Sequence, residues 1–201
     1  MRFLGLGTTP GSIKERQWIE TIARFMNGEI ENLMILAPPR ADKTIFTDMV
    51  FKHHMKYHPE DQIGYFASCE YLSEKNRKRL FIGPPPSQYC IRPVEYMALG
   101  GRYIGLTIID DPIYNLARTA SSRVERLWEW CVEYCWHRTQ NHGQKLIVSA
   151  TSGKGDFIHK VLEEEKEEWV VLGNPADSNI RELACNHRKK VVWERYPLKK
   201  I

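Results

Sequence analysis

The sequence predicts an α/β domain with a mostly parallel central sheet and helices on both faces. Short apolar segments alternate along the chain with longer segments whose apolar residues recur at helical spacing. This alternation is typical of strand–helix–strand crossovers, in which the strands run parallel and the helices cover the sheet. The chain has 201 residues, which is the length of one globular domain with a sizeable core. We therefore expect a single domain over residues 1–201.

The first half of the chain begins with a helical lead-in within residues 1–30. Residues 12–27 place apolar side chains at helical spacing, and Gly28 follows as a helix end. Residues 32–36 (Asn-Leu-Met-Ile-Leu) predict a short buried strand. The other elements predicted in this half are a helix at 43–57, which stops before His58-Pro59, a strand at 62–67 and a helix at 70–81.

The second half continues the same alternation. Residues 105–109 are apolar and free of charge, which is typical of a central parallel strand. A long helix is predicted at 117–138 because its apolar residues return to one side. The remaining predicted elements are strands at 93–99, 145–150 and 169–172, a helix at 156–167, and an irregular segment at 174–201 that wraps the domain edge.

Composition excludes several classes of protein. Hydrophobic residues make up 42% of the chain and charged residues 27%, which is ordinary for a folded protein. No apolar run approaches the roughly 18–20 residues that cross a bilayer, and the first residues do not form a signal peptide, so we expect a cytoplasmic protein without a membrane partner. Five cysteines without a spacing framework argue against a disulfide scaffold. The net charge of +4 is compatible with nucleic-acid binding without requiring it.

The segment after the first predicted strand has features of a phosphate-binding loop. Residues 38–44 read Pro-Pro-Arg-Ala-Asp-Lys-Thr and lead into the helix predicted at 43–57. In such loops, backbone N–H groups and a helix N-terminus bind phosphate, a lysine neutralises the outer phosphates and a hydroxyl binds Mg²⁺. Lys43 takes the lysine role and Thr44 the magnesium role, which predicts ATP and Mg²⁺ as cofactors. The predicted ATP-binding residues are Pro39, Arg40, Ala41, Asp42, Lys43 and Thr44.

Asp42 departs from the usual pattern G-x-x-x-x-G-K-[ST], which has glycine at this position and also where Ala37 stands. Its carboxylate beside a triphosphate costs on the order of several kcal/mol per charge pair, even at an effective dielectric constant of about 20. Either Asp42 points away from the nucleotide or nucleotide affinity is weakened. The alternative is that this segment is a turn in which Asp42 caps the following helix.

Two carboxylates follow the strand predicted at 105–109. Asp110 and Asp111 stand before Pro112, and the carboxyl ends of strands are where open α/β sheets bind ligands. We assign Asp110 to Mg²⁺ and Asp111 to the general base that activates water, a position more often occupied by glutamate. The alternative is an ordinary strand-to-turn sequence. A third strand end is followed by the hydroxyl of Thr151, which is suited to sensing the γ-phosphate.

In this order the motifs resemble the ATPase domain of the large terminase subunit, the DNA-packaging motor of tailed bacteriophages. The resemblance is carried by residues 33–44, by Asp-Asp-Pro-Ile at 110–113 and by Trp-Glu-Arg-Tyr-Pro at 193–197. It implies a three-layer P-loop NTPase (RecA-like) fold of the additional-strand, catalytic-acid type, in which ATP hydrolysis drives translocation of double-stranded DNA. It also implies that Arg40 lies near the γ-phosphate and that a neighbouring subunit supplies a second arginine, for which Arg102 and Arg138 are candidates.

The resemblance further implies a homo-oligomeric ring in the cytoplasm of an infected bacterial host, with a small terminase subunit, a portal and a separate nuclease as partners. The chain has no recognisable carboxylate triad for two-metal DNA cleavage, so we predict no nuclease activity and no nuclease domain. It departs from the family at Asp42, at residues 151–156 and in a shorter segment between Ser68 and Asp110.

Two other functions remain open. The first is a degenerate P-loop domain with weak or no ATPase activity that serves as a nucleic-acid-binding or assembly subunit. The second, a helicase-like core, is disfavoured because only one such domain is present. Weaker signals predict buried thiols rather than a zinc site at Cys131 and Cys135, and solvated histidines at 54 and 58. They also predict a basic helix face at 75–79 that could contact DNA, and Trp18 or Phe25 beside the adenine of a bound nucleotide.

Overall fold

The computed structural model describes residues 13–37, 43–96, 103–113, 121–150, 155–164, 168–173 and 191–195. Within these ranges, every neighbouring pair of strands in the sheet runs parallel. The strands are β1 (Asn32–Leu36), β2 (Ile63–Ala67), β3 (Tyr89–Pro93), β4 (Ile104–Asp110), β5 (Thr139–Ser149), β6 (Trp169–Gly173) and β7 (Val191–Arg195). They form one sheet in the order β3-β2-β4-β5-β1-β6-β7.

The helices follow the strands in the alternating order that the sequence predicts. Five α-helices are described: α1 (Ile13–Met26), α2 (Lys43–Tyr57), α3 (Glu70–Leu80), α4 (Ser121–Trp130) and α5 (Phe157–Glu164). Gly28 follows α1 with a φ of 79°, a left-handed conformation that glycine adopts without strain, as the predicted helix end requires. No helix in the described ranges combines the length and the apolar character needed to cross a membrane.

Two apolar cores lie on opposite faces of the sheet. In β1, Met34 and Leu36 pack in the core shared with α4 and α5, whereas Leu33 and Ile35 pack in the core shared with α1 and α2. This division follows from the alternation of side chains along a strand, which points successive residues to opposite faces. The predicted three-layer α/β fold is therefore confirmed, and its parallel sheet with helices on both faces is consistent with a RecA-like fold.

The strand β5 lies between β1 and β4 and aligns their ends. Leu36, the last residue of β1, is opposite Ser149 of β5, and Asp110, the last residue of β4, is opposite Val148. Because all three strands run in the same direction, the segments that follow them emerge at the same end of the strands. We call this C-terminal end of the sheet the carboxyl edge.

Four predicted elements differ in the structure. The strand expected at 145–150 is β5, which begins six residues earlier, at Thr139, and ends at Ser149. Where a strand is expected at 93–99, β3 ends at the first of these residues and the turn after it includes Glu95 with a φ of 65°, whereas 97–99 lie outside the described residues. Within the described part of the helix expected at 117–138, Ser121–Trp130 are α-helical, followed by a π-helical turn (Cys131–Cys135) and a 3₁₀ turn (Trp136–Arg138), whereas 117–120 lie outside the described residues. Within the segment expected to be irregular, Val191–Arg195 form β7 along β6, and 174–190 and 196–201 lie outside the described residues.

Candidate functional site

Lys43 joins the ends of two strands at the carboxyl edge. It is the first residue of α2, and its side chain is buried. Its Nζ donates a hydrogen bond to the carbonyl oxygen of Ala37, directly after β1, at 3.2 Å, and it lies 3.0 Å from Oδ1 of Asp111, directly after β4. The structure thus brings the Lys-Thr turn and the paired acids together, although they are far apart in sequence. The described residues account for two of the three protons of the ammonium.

Asp111 is held by its backbone and remains accessible to solvent. Its N–H donates to the carbonyl oxygen of Val148 at 2.7 Å, which fixes the turn after β4 against β5. Its side chain is 40% exposed, so one part of the carboxylate contacts Lys43 and another part can meet water. Its φ of 43° lies in the left-handed region.

Asp110 has the opposite environment, because only 8% of its surface is exposed. Its Oδ2 accepts a hydrogen bond of 2.6 Å from the hydroxyl of Tyr65 on the neighbouring strand β2. Burial raises the pKa of Asp110 to about 6, against the hydrogen bond from Tyr65, and the nearby charge of Asp111 adds to the rise. The carboxyl is therefore ionised at neutral pH, but at an energetic cost that a bound cation would relieve.

Tyr65 belongs to a polar network that sequence reasoning did not identify. Its hydroxyl lies 3.1 Å from Oγ1 of Thr47 on α2 and 3.5 Å from Nη2 of Arg79 on α3. Arg79 in turn donates from Nε and Nη2 to both carboxylate oxygens of Asp48, at 2.7–3.0 Å. Burial and the charge of Asp110 raise the pKa of Tyr65 well above its ordinary value, so the hydroxyl keeps its proton and acts as a donor.

The other predicted site residues are placed as follows. Thr44 follows Lys43 in α2, and its side chain is exposed. Arg138 is the last residue of the 3₁₀ turn, and Thr139 after it pairs with Ile104, the first residue of β4. Arg138 therefore lies at the N-terminal end of the strands, opposite to the end at which Lys43 lies. The predicted residues Pro39, Arg40, Ala41, Asp42, Arg102 and Thr151 lie outside the described residues.

Several weaker predictions are corrected by burial. Phe25 is fully enclosed in the core, and Trp18 packs edge-on against Phe46 of α2 with ring centroids 3.9 Å apart, so neither presents an open face to adenine. His54 is buried rather than solvated, with Nε2 3.0 Å from Oδ2 of Asp61. Arg79 is turned inward onto Asp48 and does not belong to an exposed basic helix face.

The two thiols on the predicted helix are buried, as expected. Cys131 and Cys135 have no exposed surface, and burial raises the pKa of both well above the ordinary thiol value. They lie in the core on the α4 and α5 side of the sheet, with Cys90 packed against it. These cysteines therefore fill the core.

The donor set at the carboxyl edge fits a magnesium ion that arrives with phosphate. No group of three or more His, Cys, Asp or Glu within the described ranges could hold a metal ion by itself. Magnesium in nucleotide sites needs only one or two protein carboxylates or hydroxyls, because phosphates and water complete its shell. The carboxylate of Asp110 and the hydroxyl of Thr44, in the first turn of α2, are ligands of this type.

Neither the models of known protein families nor the curated proteins with which the chain was compared gave a match. Function is therefore inferred from the geometry of the carboxyl edge and from the motifs that form it.

Proposed function

We propose that this chain is an ATP-hydrolysing DNA-packaging motor of the large-terminase type, which couples Mg-ATP hydrolysis to translocation of double-stranded DNA. The observation that carries the proposal is the position of Lys43, whose ammonium contacts both the residue after β1 and the carboxylate after β4. A lysine in the first turn of a helix, beside a strand-end carboxylate, is placed to bind the outer phosphates next to their metal ion. The added strand β5 between β1 and β4 supports the additional-strand type.

Each residue of the carboxyl edge has a role in this proposal. Lys43 directs its third proton to the outer phosphates, and Thr44 and Asp110 hold Mg²⁺, which supplies positive charge to the phosphate oxygens when it is bound. Once Lys43 shares its charge with the phosphates, the half-exposed carboxylate of Asp111 accepts a proton from the attacking water. The water oxygen bonds to the γ-phosphorus, and the bond from that phosphorus to the bridging oxygen of ADP breaks.

The remaining roles depend on the resemblance. Arg40 spreads the negative charge that develops on the transferred phosphoryl group, and Thr151 relays the loss of phosphate to the DNA-gripping surface. Arg138 precedes Thr139, which pairs with Ile104, whereas the site lies beside Asp110, six residues further along β4 and so roughly 20 Å away at about 3.3 Å per residue. That distance leaves Arg138, like Arg102, as a candidate to act on a neighbouring subunit of a homo-oligomeric ring.

The proposed partners also come from the resemblance. The ring acts on double-stranded DNA in the cytoplasm of an infected bacterium, and the net charge of +4 is compatible with contact to DNA phosphates. The resemblance adds a portal, a small terminase subunit and a separate nuclease as further partners.

Steady-state ATPase activity tests the enzymatic part of the proposal. We expect Asp111→Asn to lower turnover by about a hundredfold or more, since proton transfer by a positioned side chain contributes about 10²–10⁴-fold. Lys43→Ala should lower it by about 10²–10³-fold, since it removes a positioned donor to the phosphate oxygens. Lys78→Ala on α3 is the matched control, because the side chain of Lys78 is 75% exposed and contacts Glu74. Equal turnover in the wild type and all three variants would remove the enzymatic claim.

The alternative of a degenerate P-loop domain is favoured by two features. The Lys43 ammonium is already engaged by Asp111, and the loop has a carboxylate, Asp42, where the usual pattern has glycine. Calorimetry with a non-hydrolysable ATP analogue and Mg²⁺ separates the two readings. A gain in affinity of more than about tenfold in Asp42→Gly, or about 1.4 kcal/mol, favours degeneracy, whereas no gain means that the native loop already binds. Asp42→Asn distinguishes the effect of the charge from that of backbone freedom.

A further inference from the structure

The hydroxyl of Tyr65 lies between the two elements that supply the proposed magnesium ligands. On one side it donates to Oδ2 of Asp110 at 2.6 Å, and on the other it lies 3.1 Å from Oγ1 of Thr47. Thr47 is one turn after Thr44 in α2 and donates to the carbonyl oxygen of Thr44 at 2.9 Å. One buried hydroxyl therefore donates to the carboxylate at the end of β4 and packs against Thr47 of α2.

Tyr65 and Thr47 have one hydroxyl proton each, and this determines which group donates in each hydrogen bond. A tyrosine hydroxyl has one proton, and the short distance to Asp110 assigns it to that carboxylate. The proton of Thr47 is used by the carbonyl of Thr44. The oxygen of Tyr65 is then left as an acceptor for Nη2 of Arg79, at 3.5 Å. Donation from a guanidinium to this oxygen polarises the hydroxyl and strengthens its bond to Asp110.

Arg79 is itself held in place by a bidentate pair. Its Nε and Nη2 contact both carboxylate oxygens of Asp48, and its Nη1 donates to Oδ1 of Asn76 at 2.7 Å. Two parallel bonds to a carboxylate fix the plane of a guanidinium as well as its position. Since Asp48 is on α2 and Arg79 is on α3, this pair holds both helices around the hydroxyl of Tyr65.

We propose that Tyr65 is a positioning residue that orients the carboxylate of Asp110 toward Mg²⁺, and that the Arg79–Asp48 pair holds Tyr65 in this role. The inference rests on the proposed function and deepens it. Partners that hydrogen-bond a metal ligand fix its orientation, and losing one typically costs about 10–100-fold in metal affinity or activity. Tyr65 is fully buried and therefore acts through Asp110 rather than by contact with substrate.

Tyr65→Phe tests the inference, because it removes the hydroxyl and leaves the buried ring. Calorimetry with a non-hydrolysable ATP analogue gives affinities in Mg²⁺ and in EDTA, and a magnesium titration gives the concentration of half-saturation. We expect the affinity in EDTA to be unchanged, and the gain produced by Mg²⁺ to fall by about 10–100-fold. Tyr89→Phe is the matched control, since Tyr89 packs in the same core, on β3, and its hydroxyl contacts Gln88.

Arg79→Lys is the second variant and leaves Tyr65 in place. It keeps the positive charge but loses the bidentate fork. If Arg79 acts through Tyr65, Arg79→Lys weakens the gain from Mg²⁺ in the wild-type background and has no further effect in the Tyr65→Phe background. Such non-additivity is the signature of two residues in one network. Thermal unfolding of each variant distinguishes loss of folded protein from loss of metal affinity.

Two outcomes separate this inference from the proposed function. If the wild type binds the nucleotide with a gain from Mg²⁺ and Tyr65→Phe keeps that gain within twofold, the positioning role is overturned and the proposed function stands. If the wild type shows no gain from Mg²⁺, both are overturned. A loss of affinity in Tyr65→Phe that is equal in Mg²⁺ and in EDTA would also overturn the positioning role, because it would reflect a general structural effect.

Discussion

Replacing Asp110 by asparagine is expected to stabilise the fold at neutral pH. The ordinary carboxyl pKa of 3.8 applies to the unfolded chain, whereas burial raises the pKa of Asp110 in the folded protein to about 6. Between these values the folded protein holds a proton that the unfolded chain has lost, so this group makes wild-type stability fall as pH rises. A rise from 3.8 to about 6 corresponds to about 3 kcal/mol, at about 1.36 kcal/mol per pKa unit.

Asparagine has nearly the same shape and accepts the hydrogen bond from Tyr65, but it carries no charge. Urea unfolding of both proteins from pH 4 to pH 8, in EDTA, isolates the contribution of Asp110. We expect the free energy of unfolding of Asp110→Asn, relative to that of the wild type, to increase by about 2–2.5 kcal/mol between pH 4 and pH 7 and then to level off, since the unfolded carboxyl is already partly ionised at pH 4. A difference that is constant with pH, or that shrinks as pH rises, would refute the reasoning, because it would mean that the fold stabilises the ionised carboxylate.

Three further predictions concern residues around the site and at the amino end of the sheet. Asp48→Asn should lower the free energy of unfolding by about 1.5–3 kcal/mol, since Arg79 loses a charged partner; urea unfolding that shows a change under 0.5 kcal/mol would contradict a structural role for this pair. Gly105→Ala should cost about 1–3 kcal/mol, because its Cβ would lie 2.6 Å from Cγ and 2.8 Å from Cβ of Asp61; an equal cost in an Asp61→Gly background, which lacks both atoms, would mean that this overlap is not the cause. Burial lowers the pKa of His54, so the folded protein loses stability as pH falls through 6.5. Between pH 8 and pH 5 the melting temperature should therefore fall less in His54→Asn than in the wild type, and an equal fall would mean that His54 is not the cause of the loss.

The elements with a strong local pattern were predicted nearly to the residue. Asn32–Leu36 and Lys43–Tyr57 match β1 and α2, because an apolar run of strand length and a helical spacing ended by His-Pro are both local signals. The edge strand β3 was misplaced, since its exposed Arg92 and its terminal Pro93 hide the strand pattern. The change from α to π geometry at Cys131–Cys135 does not alter the spacing of apolar residues, so the sequence pattern does not predict it.

The site was predictable where it depends on motifs and not where it depends on strand pairing. Lys43 and Asp111 can be identified from their positions after predicted strands. Their contact requires only that β1 and β4 have their C-terminal ends at the same end of the sheet. The bond from Tyr65 to Asp110 depends on the register that places Ala67 opposite Asp110, which no local pattern reveals. The sequence does contain one indication of this bond, since Tyr65 lies within a predicted buried strand. A buried tyrosine hydroxyl usually has a hydrogen-bond partner.

The left-handed backbone at Asp111 explains which acid can stand there. Aspartate and asparagine enter this conformation several-fold more readily than most other side chains, whereas a longer side chain pays about 1–2 kcal/mol. A glutamate, though chemically equivalent as a base, would adopt this conformation at that cost, as Glu95 does with its φ of 65°. The path of the chain after β4 thus favours the shorter acid, and Asp111→Asn removes the charge while leaving that path intact.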